Sequence, residues 1–169
     1  MQQTLAKAKK VLADNYIVEP PVDVEDLAAK NGLDVRTAEF PAEYQGVSGF
    51  INLEAGRPVV YVNSADSPHR QKFTIAHELA HWLLHENEIR TDPGKAILFR
   101  IAIGETNTDP LEKQANAFAA ELLVPMEFFA KVKNKPVKDL VDMFDVSSDV
   151  IGYRKKAAEH VAMARKAAR

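Results

Sequence analysis

The stretch that most narrows what this chain can fold into is Thr74-Ile75-Ala76-His77-Glu78-Leu79-Ala80-His81-Trp82-Leu83-Leu84-His85. Just before it, Ser67-Pro68 reads as an N-cap followed by proline at the first helical position, so the spacing predicts a helix from there to about His85. Phe73, Ala76, Ala80 and Leu84 recur at core spacing, with Leu79 and Leu83 beside them. A helix apolar on most of its faces belongs at the centre of a fold. Residues four apart on a helix stand one above the other on one face. His77 and His81 can therefore hold one metal ion through their imidazoles. Glu78 adjoins His77, where its carboxylate can reach a water in an open coordination position and take its proton.

Two imidazoles leave such a centre incomplete, because a catalytic zinc normally takes three protein ligands and keeps one position open. The chain has no cysteine, so the third ligand must be His, Asp or Glu. His85 lies on the same stripe but one turn past His81, too far along the axis to share the ion. It reads as an imidazole favoured in a last turn by the helix dipole. His69 lies two turns before His77, and His160 falls in a basic, surface-like helix.

Glu112 is the stronger candidate. Asp109 is placed to cap, and Pro110 to open, a helix carrying Glu112, Ala115, Asn116, Phe118, Ala119 and Leu122. Small residues at 115, 117, 119 and 120 would let this helix approach the first one closely. Glu121, nine residues on from Glu112, is rotated well away from it. Alone, Glu112 would read as an exposed first-turn carboxylate. Beside His77-Glu78-x-x-His81 it reads as the third ligand of a two-histidine, one-glutamate centre. Zinc suits that donor set, and manganese is also compatible.

The rest of the chain supplies the frame. Residues 4–14 have helical spacing, and Pro20-Pro21 breaks the run. A short helix is expected from Val24 to Asn31, capped by Asp23 and ended by Gly32. Three β-like runs follow, at 33–40, 47–53 and 58–63, the last two separated by a hairpin-like Glu54-Ala55-Gly56-Arg57. They predict a small antiparallel sheet. Asp92-Pro93-Gly94 is a turn, 96–103 a possible fourth strand, and 104–110 a loop. Helices are then expected at 126–132, at 137–144, and from Ser148 to about Arg165, the last capped by Ser147.

With 169 residues, 46% apolar and 27% charged, the composition fits one globular unit, 1–169, with the helical segment from about 136 to 169 part of it. A net charge of −2 argues against a whole-chain nucleic-acid or membrane binder. Without cysteine there are no disulfides, thiolate metal sites or cysteine nucleophiles. The N-terminus lacks the apolar core of a signal peptide, and no run approaches the length of a membrane span. A soluble cytoplasmic protein is the simplest account.

Taken together, Phe73-Thr74-Ile75-Ala76-His77-Glu78-Leu79-Ala80-His81 and Glu112-x-x-Ala115-Asn116-x-Phe118-Ala119-Ala120-x-Leu122-Leu123-x-Pro125 strongly resemble the ImmA/IrrE family of metallopeptidases. Pro20-Pro21-Val22-Asp23-Val24-Glu25, Ser48-Gly49, Val62-Asn63 and Phe144-x-Val146-Ser147 extend the resemblance over roughly residues 8–155. Two departures stand out, Ala80 at a glycine-like position and Lys155 where leucine tends to follow the late arginine. The resemblance implies an α+β, zincin-like domain, with a small sheet beside the central helix and helices at the C-terminus. It carries over His77, His81 and Glu112 as metal ligands and Glu78 as general base. It implies cleavage of a transcriptional repressor of the helix-turn-helix type, relieving repression. No room for such a DNA-binding domain exists before Pro20, which points to a repressor on a separate chain.

Tyr153, Arg154 and His160 share one late helix and are the candidates for stabilising an oxyanion. The run 47–53 is the candidate edge strand for an added substrate strand. Two other readings compete. Residues 137–165 could be a helix-turn-helix whose second half carries Arg154, Lys155, Lys156, Arg165, Lys166 and Arg169, although Asp139, Asp142, Asp145 and Asp149 would repel phosphate. Or the fold could be a catalytically silent binding module, which would have no need of Glu78.

Overall fold

The computed structural model describes residues 1–44, 46–91 and 109–167. Helix α1 (Gln2–Asp14) buries Ala8, Val11 and Leu12 in the core. Its Lys7 donates through Nζ to the carbonyl of Leu83. Helix α2 (Val24–Lys30) starts where its cap predicts, with Asp23 Oδ1 accepting from the Asp26 N–H at 3.0 Å. Past its end the chain turns through Gly32, at a φ of +82° that favours glycine.

Three strands follow, β1 (Asp34–Ala38), β2 (Gly49–Glu54) and β3 (Arg57–Asn63). Ala55 and Gly56 both have positive φ, as a two-residue turn between antiparallel strands requires. The strand order is β1-β3-β2. β2 pairs antiparallel with β3, but β1 runs parallel to β3, with Val35 opposite Val60. The sheet is therefore mixed, where the sequence alone suggested purely antiparallel. Side-chain alternation marks a strand without fixing its neighbour's direction. The signal for the central strand was present, because Val59, Val60 and Val62 of β3 are all buried, as a strand covered on both faces requires. The possible strand at 96–103 and the turn at 92–94 lie outside the described residues.

Helix α3 (Pro68–Thr91) is central, with every residue from Thr74 to Trp82 buried. It does not stop at His85. The backbone leaves helical geometry there (φ −129°, ψ 26°) and the helix resumes to Thr91. Ile89, 1% exposed, draws this second segment into the core. Arg90 holds its outer side, over the Trp82 ring and paired with Glu86. At the other end β2 presses on α3 through Gly49. A Cβ there would overlap the Thr74 methyl and stand 2.6 Å from the Tyr61 carbonyl oxygen.

Helix α4 (Pro110–Leu123) is capped by Asp109, whose Oδ1 accepts from the Leu111 N–H at 2.8 Å. It packs along α3, and fully buried Ala115 and Ala119 keep its inner face slim. Helices α5 (Met126–Val132), α6 (Val137–Phe144) and α7 (Ser148–Ala167) complete the described chain. Polar links tie them to the rest. Arg154 Nη2 of α7 donates to Glu121 Oε2 of α4 at 2.6 Å, with both side chains buried. Asp145, in left-handed geometry after α6, accepts from Lys72 Nζ at 2.9 Å and faces His69 Nε2 at 3.2 Å. No helix among the described residues is long and apolar enough to cross a membrane.

Candidate metal centre

The helical repeat of α3 stacks His77 beneath His81, and their Nε2 atoms stand 2.9 Å apart. Glu112, in the first turn of α4, meets both. Its Oε2 lies 3.2 Å from His77 Nε2, and its Oε1 lies 2.9 Å from His81 Nε2. All three residues are buried, and one ligand atom from each falls within 4.8 Å of the others. Glu78 is equally buried, at 1% exposure.

The hydrogen bonds behind these atoms decide what the imidazoles offer. Asn116 Oδ1 can only accept, so at 3.0 Å from His77 Nδ1 it makes that nitrogen the donor. Nε2 of His77 is then the ring nitrogen that faces Glu112. His81 Nδ1 is held at 3.2 Å by His85 Nδ1, and His85 Nε2 in turn faces Gln114 Oε1 at 3.4 Å. Supporting partners of this kind fix ring orientation and tautomer in metal centres.

Burial, which disfavours the charged imidazole, pushes His81 down to about 4, so its ring is neutral near pH 7. For His77 burial acts the same way, but hydrogen bonding to Glu112 and the nearby Glu78 charge outweigh it, and the net direction is up. Burial would raise Glu112, yet the two histidines hold it at about 2, so its carboxylate is ionised. An ionised carboxylate and two inward-facing ring nitrogens thus share one small buried space. That donor set suits a divalent cation. Ligands about 2.0–2.1 Å from one tetrahedral ion stand roughly 3.3 Å apart, close to the spacings present between these atoms.

All four residues singled out from the sequence for the centre, His77, Glu78, His81 and Glu112, lie together on the facing helices α3 and α4. His85 is not among the clustered ligands, in keeping with its position along the axis. It is buried and supports His81, however, and so does more than decorate a helix end. Asn116 was visible in the sequence only as a motif residue. Its signal was its place four residues after Glu112, on the same face of α4. The three oxyanion candidates separate. Arg154 is locked to Glu121, His160 is exposed on α7, and Tyr153 is 52% exposed on the wall of a cavity that Asn116 also lines.

A buried helix bearing two histidines and a glutamate, completed by a carboxylate from a second helix beside a small sheet, defines a peptidase-type fold that could hold a metal ion. The chain belongs to the family described as the IrrE N-terminal-like domain, whose family model matches residues 28–156. No curated protein matches it. Among solved structures, a Mycobacterium tuberculosis transcriptional regulator is similar, with a TM-score of 0.60 at 14% identity. The match covers 91% of this chain and 46% of that one, so this chain spans less than half of the regulator's length. At that identity the likeness concerns the fold.

Proposed function

We propose that this chain is a zinc-dependent endopeptidase that cleaves a separate helix-turn-helix repressor and so relieves repression. The observation that carries the reading is the buried cluster of His77, His81 and Glu112, with Glu78 next to His77 on the same core helix. His77, His81 and Glu112 hold the ion. When bound, a divalent cation of this kind supplies Lewis acidity to a carbonyl and acidity to a water. Glu78 accepts the water's proton and passes it to the leaving amine. Asn116 and His85 keep the two rings aimed, so that no reorientation is needed as the reaction proceeds. β2, an edge strand among the described strands and pressed onto α3 at Gly49, is the candidate for pairing with an extended substrate segment.

The helices beyond 136 form one unit with the rest in this reading, tied in through Asp145 and Arg154. The nucleic-acid alternative is weakened by the same contact. Arg154, a member of the basic set it needs, is buried against Glu121 and unavailable to phosphate.

The reading is tested by incubating the metal-loaded chain with candidate helix-turn-helix repressors, with and without chelator, and mapping any cut by mass spectrometry. Cleavage is expected to vanish with chelator and in Glu78→Gln, while that variant still binds metal. A cut that persists in metal-loaded Glu78→Gln would sink the mechanism.

A further inference from the structure

Helix α1 lies outside residues 28–156, the span that matches the family, yet it meets both helices of the candidate metal centre. Thr4, Ala8 and Val11 are buried on one stripe of α1, which packs along α4. Lys7 falls in that stripe, three residues after Thr4 and four before Val11. Its buried neighbours therefore fix where the exposed lysine points, and its ammonium donates to the Leu83 carbonyl of α3.

That carbonyl stands at the break in α3. In an unbroken helix it would accept from the N–H of Asn87, four residues on, and the non-helical His85 lies between the two. Sharp bends in helices come from proline, from glycine or serine pairs, from bulges, or from a group inserted into the hydrogen-bond ladder. Residues 80–90 contain no proline, glycine or serine. A group reaching the ladder is present, the Lys7 ammonium. The break in turn aims His85. A φ of −129°, against about −63° in a regular helix, turns its Cα–Cβ bond by roughly 65° about the N–Cα bond. The ring is buried with Nδ1 3.2 Å from His81 Nδ1 and Nε2 3.4 Å from Gln114 Oε1 of α4.

We propose that Lys7 is a positioning residue for the metal centre: by donating to the Leu83 carbonyl it holds α3 bent at His85, and so holds the His85 ring behind His81. The N-terminal helix then tunes how tightly the centre keeps its ion, although no atom of it touches a ligand. The proposal rests on the metal-centre reading, and its test separates the two.

Zinc affinity of the full chain is measured by competition with a chromogenic chelator, in the parent, Lys7→Met, Lys7→Arg and Lys10→Met. Lys10 is the control, an exposed lysine paired with Asp14 of its own helix. Lys7→Met is expected to weaken zinc binding by about 2–30-fold, the range for a residue that acts through its neighbours. Lys7→Arg, which keeps a cationic donor, should restore the parent affinity, and Lys10→Met should leave it unchanged. The visible absorption of the cobalt-loaded chain should shift in Lys7→Met and return in Lys7→Arg. In a His85→Ala background, Lys7→Met should add no further loss. If His85→Ala does not fold, the arginine rescue and the cobalt spectrum decide. Parent-like affinity in Lys7→Met, an equal loss in Lys10→Met, or the same loss with and without His85 overturns the proposal and leaves the metal centre standing. A parent chain that binds no zinc overturns both.

Discussion

Helix α4 buries two glutamates nine residues apart, both about 2% exposed, and their surroundings could hardly differ more. Glu121 meets a permanent cation. Arg154 donates to it at 2.6 Å, and the same carboxylate accepts the Met126 N–H at 3.3 Å at the start of α5. Glu112 meets two imidazoles, one of them neutral by burial, with ring nitrogens aimed inward. The first arrangement is a direct ion pair between two protein side chains. The second brings donor atoms together around a space that a metal ion would suit. Burial of a carboxylate is therefore not the mark of a site. What marks it is the kind of partner provided.

Substitutions at the two ends of α4 should separate accordingly. The largest effect is expected at Glu112. Glu112→Gln should cut zinc affinity, measured by competition with a chromogenic chelator, by more than the 10–100-fold that losing a supporting hydrogen bond typically costs. Arg154→Ala should leave zinc affinity unchanged and cost about 3–5 kcal/mol in denaturant unfolding, because it strands the buried Glu121 charge. Replacing both partners with apolar residues, Glu121→Leu with Arg154→Met, should recover most of that loss. If the double variant were as unstable as Arg154→Ala, stranded charge would be the wrong explanation.

Smaller effects should follow from residues one shell out. Asn116→Ala and His85→Ala should each weaken zinc binding by roughly 10–100-fold while the fold persists. An unchanged chelator titration would show that these hydrogen bonds do not aim the rings. Gly49→Ala should lower stability by about 1–3 kcal/mol through overpacking against Thr74 and the β3 backbone, as read from thermal or denaturant unfolding. The smallest effect belongs to Asp145, which the Lys72 hydrogen bond holds below the usual carboxylate range. A carboxyl with a depressed folded pKa stabilises above its unfolded value and loses that contribution as pH falls through the folded one. Asp145→Asn should thus show a small deficit at neutral pH that closes below about pH 4, small because the Asp145 side chain is half exposed.

The contrast between the two glutamates also explains what could be read from the chain before its fold was seen. Glu112 was legible because local rules carried it. His77 and His81 are four apart, Asp109-Pro110 fixes where α4 begins, and a two-histidine pattern called for a third donor. Arg154–Glu121 was not legible, because nothing local links residues 33 apart, and Arg154 looked like one more base in a charged helix. The same divide runs through the fold. Helix ends set by Asp23, Gly32 and Asp109 fell where their caps put them. The parallel partner of β1 and the continuation of α3 past His85 depended on tertiary burial, of β3 in one case and of Ile89 in the other. His85 lies outside the His77, His81 and Glu112 cluster, yet its contact with His81 needed the inward turn of the ring that only the packed structure supplies.

The most direct test of the account is metal stoichiometry together with metal-dependent stability in the parent chain and in Glu112→Gln. A ligand that binds only the folded state raises its stability in proportion to the logarithm of free ligand. The parent chain should bind one zinc ion, seen by native mass spectrometry, and its unfolding midpoint should climb as free zinc rises. Glu112→Gln should fold, yet show neither the bound ion nor the climb at the same free zinc. Equal zinc content and an equal climb in both proteins would contradict the central claim that His77, His81 and Glu112 form a metal centre.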